Sequence, residues 1–153
     1  MKFLLYGGKG WIGSKIVEML KKDGHEVFIS QARLEERERI LKEIEETKPD
    51  RIINCAGKTG RPNVDWCEDH KQETIRSNVI GTINLVDCAF LHNIHVTNLA
   101  TGCIYEYDEQ HPMYSGIGFK EEDEPNFKGS FYSFSKALTE KILKEYPNVL
   151  NLR

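Results

Sequence analysis

Lys2-Phe3-Leu4-Leu5-Tyr6-Gly7-Gly8-Lys9-Gly10-Trp11-Ile12-Gly13-Ser14-Lys15-Ile16-Val17 decides the fold. Phe3-Leu4-Leu5-Tyr6 is a short apolar run bounded by glycine and predicts a buried strand. Gly7, Gly10 and Gly13 form a G-x-x-G-x-x-G turn behind it. Ile12, Ile16, Val17, Met19 and Leu20 then recur at helical spacing, and Gly24 closes the helix. A strand, a glycine turn and a helix N-terminus make a phosphate site. The glycines let the backbone turn tightly and approach an anion, and the first-turn N–H groups point at it with the helix dipole behind them. In this context the turn reads as a dinucleotide site. Its candidate contacts are Gly7, Gly10, Trp11, Ile12 and Gly13.

His25 to Ser30 reads as the second strand. An NAD-type site needs a carboxylate near the end of that strand to hold the ribose 2′-hydroxyl. The chain offers Ser30, Gln31, Ala32 and Arg33 there, with Glu35 and Glu36 just beyond. A cation in that place suits a 2′-phosphate, so Arg33 points to NADP(H) over NAD(H). Leu34 to Thr47 is heavily charged, with Leu34, Ile40, Leu41 and Ile44 on one stripe. It predicts an amphipathic crossover helix laced with pairs such as Glu35–Arg39. Arg51 to Gly57 reads as a third strand, whose end, Asn54-Cys55-Ala56-Gly57, should lie over the cofactor.

Lys58 to Asp65 is rich in turn residues and falls at the sheet edge where ligands bind in open α/β folds. Trp66, Cys67 and His70 follow on a helix start; with no third ligand nearby, packing is their expected role. Thr74 to Asn93 predicts one long helix with Ile75, Val79, Ile83, Leu85, Val86, Ala89 and Phe90 buried, and Asn78 placed to brace the backbone on the cofactor side. His95 to Ala100 is the next strand, and Glu106 to Lys128 a polar loop long enough to suggest a functional role. Phe131 to Tyr146 is helical, and Val149 to Arg153 begins a last strand. The β-α-β alternation predicts an α/β fold: a Rossmann-type, doubly wound parallel sheet.

The bulk numbers exclude several classes. The 153 residues suit one domain, and a net charge of −3 gives no footprint for nucleic acid. No apolar run approaches the ~20 residues of a membrane span, and the opening run is too short for a signal sequence. The four cysteines show neither C-x-x-C pairing nor metal spacing, so no metal is expected and a reduced, cytoplasmic protein is.

Tyr132 and Lys136 stand four apart on one helix face, where their side chains can meet. A nearby ammonium should lower the phenol's pKa toward working pH. Such a tyrosine can exchange a proton with an oxygen whose carbon exchanges hydride with nicotinamide. Thr101 and Cys103, two apart at the end of the His95–Ala100 strand, point to one side if the chain stays extended. Thr101 can hydrogen-bond the reacting oxygen. Cys103 can act as acid or base beside a carbonyl if its thiol pKa is depressed, or be no more than a small hydrophobe.

Gly7-x-x-Gly10-x-x-Gly13, Asn54-Cys55-Ala56-Gly57, Asn78-Val79-x-Gly81-Thr82, Ala100-Thr101-Gly102-Cys103 and Tyr132-x-x-x-Lys136 together resemble the extended short-chain dehydrogenase/reductase family, in order and over the whole chain. The strings Thr59 to Glu68, Ala100 to Asp108 and Gly116 to Asp123 are similar to its bifunctional UDP-4-keto-6-deoxyglucose 3,5-epimerase/4-reductases, the last-step module of plant-type UDP-rhamnose synthases. The resemblance implies that Cys103 inverts C3 and C5 of a UDP-4-keto-6-deoxy sugar. It further implies NADPH-dependent reduction of C4 with Tyr132 as proton donor, Lys136 and Thr101 in support, and Asn78 and Gly102 beside the substrate. Sugar 4,6-dehydratases of the family carry an Asp-Glu pair where Gly102-Cys103 stand, so dehydration is not expected here.

Family members run to nearly twice this length. Residues 1–153 are therefore expected to be the NADP(H)-binding domain alone, truncated before the substrate-binding lobe and the second epimerase group; alone they are expected to bind cofactor without turning over, and a homodimer is the expected assembly. Two alternatives stand beside this: a dTDP-4-dehydrorhamnose reductase-like or other sugar-nucleotide enzyme, and a non-catalytic NADP(H)-binding regulatory subunit. Retention of Tyr132, Lys136, Thr101 and Cys103 together speaks against the second.

Overall fold

Leu4, Leu5 and Tyr6 are almost inaccessible to solvent. The strand they form, β1 (Lys2–Tyr6), has a parallel neighbour on each side and helices over both faces. The computed structural model describes residues 1–153. β1 is followed by α1 (Trp11–Lys22), β2 (Glu26–Ile29), α2 (Arg37–Thr47) and β3 (Arg51–Asn54). Two short helices, α3 (Trp66–Asp69) and α4 (Lys71–Thr74), lead through a π-helical turn (Ile75–Ile80) into α5 (Gly81–Leu91). β4 (His95–Leu99), α6 (Phe131–Leu143) and β5 (Val149–Leu152) complete the chain.

The five strands are all parallel in the order β2-β1-β3-β4-β5. The chain leaves β1 in one direction for β2 and returns on the other side for β3. The carboxyl ends of β1 and β3 thus flank the point where strand order reverses, the place where open α/β sheets bind ligands. Register follows side-chain parity: Leu4 pairs with Ile52, and Ile52 with Val96, all on the face packed by α2 and α5. Leu5 pairs with Ile53 on the other face, against Val17 and Leu20 of α1. β5 is an edge strand, and Leu150 and Leu152 are half-exposed. No helix is long and apolar enough to cross a membrane.

The long helix expected over Thr74–Asn93 is broken in two by the π turn. The Gly81 N–H reaches back five residues to the Arg76 carbonyl, and a Cβ on Gly81 would lie 2.7 Å from that of Leu34. The wider turn rotates the helix face relative to a continuous α-helix. Ile75 and Phe90, expected inside, are consequently exposed, while Asn78 and Val79 are buried. α2 begins at Arg37, not Leu34; Leu34 instead drops into the core ahead of it. Arg39 pairs with Glu36 rather than Glu35, whose carboxylate accepts from the Ser77 hydroxyl at 2.6 Å. On α1 the buried stripe is Gly13, Val17 and Leu20, with Ile12 and Met19 outside it.

Candidate active site

The glycine turn is shaped by close approach. Gly7 has φ +74°, and a Cβ there would lie 2.6 Å from the Ala56 nitrogen at the end of β3. A Cβ on Gly13 would overlap the Gly7 carbonyl. α1 therefore packs tightly on the β1 end. Its N-cap, Gly10, offers no side-chain oxygen to the first turn, and no acidic residue stands there. Trp11 is 78 % exposed at its start. An uncapped helix N-terminus at the switch point fits a dinucleotide diphosphate.

Beyond β2, Arg33 is exposed, and the Lys9 ammonium reaches over from the glycine turn to donate to the Gln31 side chain at 3.0 Å. Of the two carboxylates nearest Arg33 in sequence, Glu35 accepts from the Ser77 hydroxyl, while Glu36 accepts from the Arg33 N–H and pairs with Arg39. A third carboxylate, Glu43 of α2, accepts from the Ser30 hydroxyl and from the N–H groups of Gln31 and Ala32. It occupies the backbone donors of this loop, so any 2′-phosphate here must be held by cationic side chains. Nothing in the sequence marked Glu43, one acid among many on a charged helix.

The other wall is built from buried amides. Asn54 donates to Asn98 at 2.8 Å, and Asn98 to Asn151 at 2.9 Å, a ladder across β3, β4 and β5 in register. Asn54 also accepts from the Ala56 N–H at 3.0 Å, fixing the start of the Ala56-Gly57 segment. Asn78 accepts from the Lys58 N–H at 2.7 Å and donates to the Lys58 carbonyl at 2.9 Å. Asn54 and Asn78 are each 1 % exposed, so their side chains brace the loop and only the backbone they hold faces the cleft. Cys67 is buried and His70 stacks on Trp66, with the Lys58 ammonium 4.5 Å from the centre of that ring.

Tyr132 lies in the first turn of α6, its phenol beside the Thr101 hydroxyl and near Cys103. The Thr101 oxygen also accepts from the Cys103 N–H at 3.1 Å. Gly102 and Cys103 are exposed at the cleft. Lys136, one turn on, is buried and donates to the Leu99 carbonyl at 3.4 Å. The expected lowering of the Tyr132 pKa by Lys136 is not what the structure gives. Burial raises the phenol above the ordinary tyrosine range, with the Thr101 contact partly opposing it, and Lys136 does not contribute. The ammonium is turned to a carbonyl of β4 instead. Its own pKa is lowered by burial, against a raising effect from Glu140.

That depression carries a stability prediction. A lysine whose folded pKa lies below its unfolded value weakens the fold at and below the folded pKa, and the penalty fades as pH rises toward the unfolded value near ~10.4. Lys136→Met should therefore raise the melting temperature at neutral pH, with the gain shrinking as pH approaches ~10. Thermal melts across that range check it. Glu140 keeps its ion pair with Arg153 in the variant.

The model for the "NAD dependent epimerase/dehydratase family" matches residues 3–152. The chain belongs to that family. Among family relatives, an Arabidopsis thaliana trifunctional UDP-glucose 4,6-dehydratase/UDP-4-keto-6-deoxy-D-glucose 3,5-epimerase/UDP-4-keto-L-rhamnose-reductase is 55 % identical over 153 residues, all of this chain and 23 % of that protein. A bifunctional dTDP-4-dehydrorhamnose 3,5-epimerase/dTDP-4-dehydrorhamnose reductase of the same plant is 53 % identical over 99 % of this chain and 50 % of its own length. The crystal structure of a UDP-rhamnose synthase from Acanthamoeba polyphaga mimivirus superposes with a TM-score of 0.90 at 36 % identity, over all of this chain and 55 % of that one. The chain thus spans half or less of the curated family members just named, and about half of that synthase.

Proposed function

We propose that residues 1–153 form the NADP(H)-binding half of an epimerase/reductase that converts UDP-4-keto-6-deoxyglucose to UDP-L-rhamnose. The observation that carries this is the gathering of Thr101, Cys103, Tyr132 and Lys136 beside the strand ends that hold the glycine turn. The activities named for the plant and viral relatives support the choice of sugar.

The diphosphate would rest on the first turn of α1, with Gly7, Gly10 and Gly13 allowing its approach. Ala56 and Gly57 would lie under the nicotinamide half. When bound, NADPH supplies the hydride that reduces C4. The 4-ketone acidifies the hydrogens at C3 and C5, and the exposed Cys103 thiol exchanges protons there. Tyr132 donates its proton to the C4 oxygen as that oxygen gains charge. Its raised pKa keeps it protonated and ready to donate at neutral pH. Thr101 orients the same oxygen, and Lys136 would have to swing from the Leu99 carbonyl to meet the phenolate left behind. Gly102 keeps the approach to the sugar open, since a Cβ there would meet nothing within 4 Å. Arg33 favours NADPH over NADH, and Lys9, bonded to the Gln31 side chain two residues before it, adds a second cation to this loop. The same groups would serve a dTDP-linked ketone, for which the second plant relative is named. We place this enzyme in the cytoplasm, as a homodimer.

The test is turnover by the natural protein that carries these residues. Given UDP-4-keto-6-deoxyglucose and NADPH, it should yield UDP-rhamnose by mass and NMR; consumption of neither reactant would reject the proposal. Cys103→Ser should abolish deuterium exchange at C3 and C5 while NADPH binding survives. Undiminished exchange in that variant would remove Cys103 from the chemistry.

A further inference from the structure

We propose that Ser133 is a positioning residue whose hydroxyl fixes the Cys103-bearing turn against the helix that carries Tyr132. It rests on the function proposed above, because it assigns the thiol and phenol to one reacting sugar.

Ser133 is 1 % exposed in the first turn of α6. Its hydroxyl does not cap that helix. Ser130 is the N-cap, and its oxygen accepts from the Ser133 N–H at 3.1 Å. The Phe131 N–H is taken by Glu68 at 2.5 Å. At the third helical position a capping box would place Glu or Gln, reaching back to the cap. The short serine instead bonds to the turn after β4. Its hydroxyl donates to the Cys103 carbonyl at 2.5 Å and accepts from the Ser130 hydroxyl at 2.9 Å. The single Ser133 proton therefore has one direction to go, and the chain Ser130–Ser133–Cys103 is polarised along its length.

Cys103 is held from both sides in consequence. Its N–H is bound by Thr101, the neighbour of the phenol, and its carbonyl by Ser133, the residue after the phenol. The next residue, Ile104, is buried and its carbonyl accepts from the Phe127 N–H. The thiol itself stays exposed. One side chain adjoining Tyr132 thus sets where the thiol-bearing backbone stands relative to the phenol. Geometry of that kind matters because displacement of a reacting group by about 1 Å can change a rate by ~10²-fold.

The experiment compares Ser133→Ala and Ser133→Thr with wild type in the natural protein. Three readouts are taken: deuterium exchange at C3 and C5 of UDP-4-keto-6-deoxyglucose without NADPH, reduction of the already epimerised 4-ketone with NADPH, and the rate of Cys103 alkylation by iodoacetamide followed by peptide mass. Alkylation can single out Cys103, since Cys67 and Cys88 are buried and burial pushes the Cys55 thiol up to about 11. In Ser133→Ala, exchange should fall roughly 10-fold or more, reduction should fall less, and the alkylation rate should change. Ser133→Thr, which keeps the hydroxyl, should restore most of each.

Unchanged exchange and alkylation in Ser133→Ala would overturn the proposal, as would a threonine variant no better than alanine. Absence of exchange in wild type would instead reject the proposed function. Alkylation alone would then decide Ser133, a changed rate upholding its hold on the turn and an unchanged one refuting it.

Discussion

Tyr132→Phe should lower the rate of ketone reduction by about 10²–10⁴-fold, the range spanned by a positioned general acid. Deuterium exchange at C3 and C5 should continue, because the proposed route moves those protons through Cys103. The two half-reactions separate for a structural reason. The phenol and the thiol are on different elements, α6 and the turn after β4, and the phenol's hydrogen-bond partner is Thr101, not the thiol. Removing the phenol oxygen leaves the Cys103 N–H bonded to Thr101 and its carbonyl bonded to Ser133. NADPH binding should also persist, since the glycine turn lies on other strands. Single-turnover measurement of NADPH oxidation, with exchange followed by NMR, gives both numbers on one preparation. Parallel loss of exchange and reduction would place Tyr132 in both steps or show that the turn depends on it.

The second large effect lies at the other end of the site. Gly7→Ala places a Cβ at φ +74°, 2.6 Å from the Ala56 nitrogen and 2.7 Å from the Cys55 carbonyl carbon. The left-handed backbone costs about 1–2 kcal/mol for a non-glycine residue. The overlap is with backbone, not a yielding side chain, and costs a further ~1–3 kcal/mol. Together these predict a fall in melting temperature of roughly 5–20 °C and loss of NADPH binding as β1 and β3 separate at the switch point. Gly24→Ala is the control. It has φ +79° with nothing within 4 Å, so it carries the strain without the collision. It should melt only a few degrees lower and bind NADPH normally. Calorimetry of both variants with and without NADPH checks this; equal effects would mean that close approach at Gly7 does not shape the site.

What was legible in the sequence is what repeats locally. The apolar run Phe3–Tyr6, the glycine spacing and the stripe on α2 each lie within one element, so periodicity reveals them. A parallel sheet with helices on both faces followed from the β-α-β alternation. The π turn at Ile75–Ile80 was invisible, because it arises where Leu34, far away in sequence, packs on Gly81. For the same reason the Asn54–Asn98–Asn151 ladder, Glu43 over the β2 loop and Glu68 on α6 could not be foreseen. Each is a polar pairing between residues distant in sequence that only tertiary packing brings together. The Tyr132–Lys136 spacing was readable, yet its electrostatic consequence was not. Helix spacing brings the two side chains to one face, but burial and the Leu99 carbonyl decide where the ammonium points.

The most direct measurement is a crystal structure of the natural protein with NADP⁺. The diphosphate should lie on the amides of Trp11, Ile12 and Gly13, and C4 of the nicotinamide should face the Tyr132 oxygen across a gap that one carbonyl group fills, with the Cys103 thiol on the rim. A diphosphate bound away from the glycine turn, or a nicotinamide ring on the opposite side of the sheet from Tyr132 and Cys103, would contradict it.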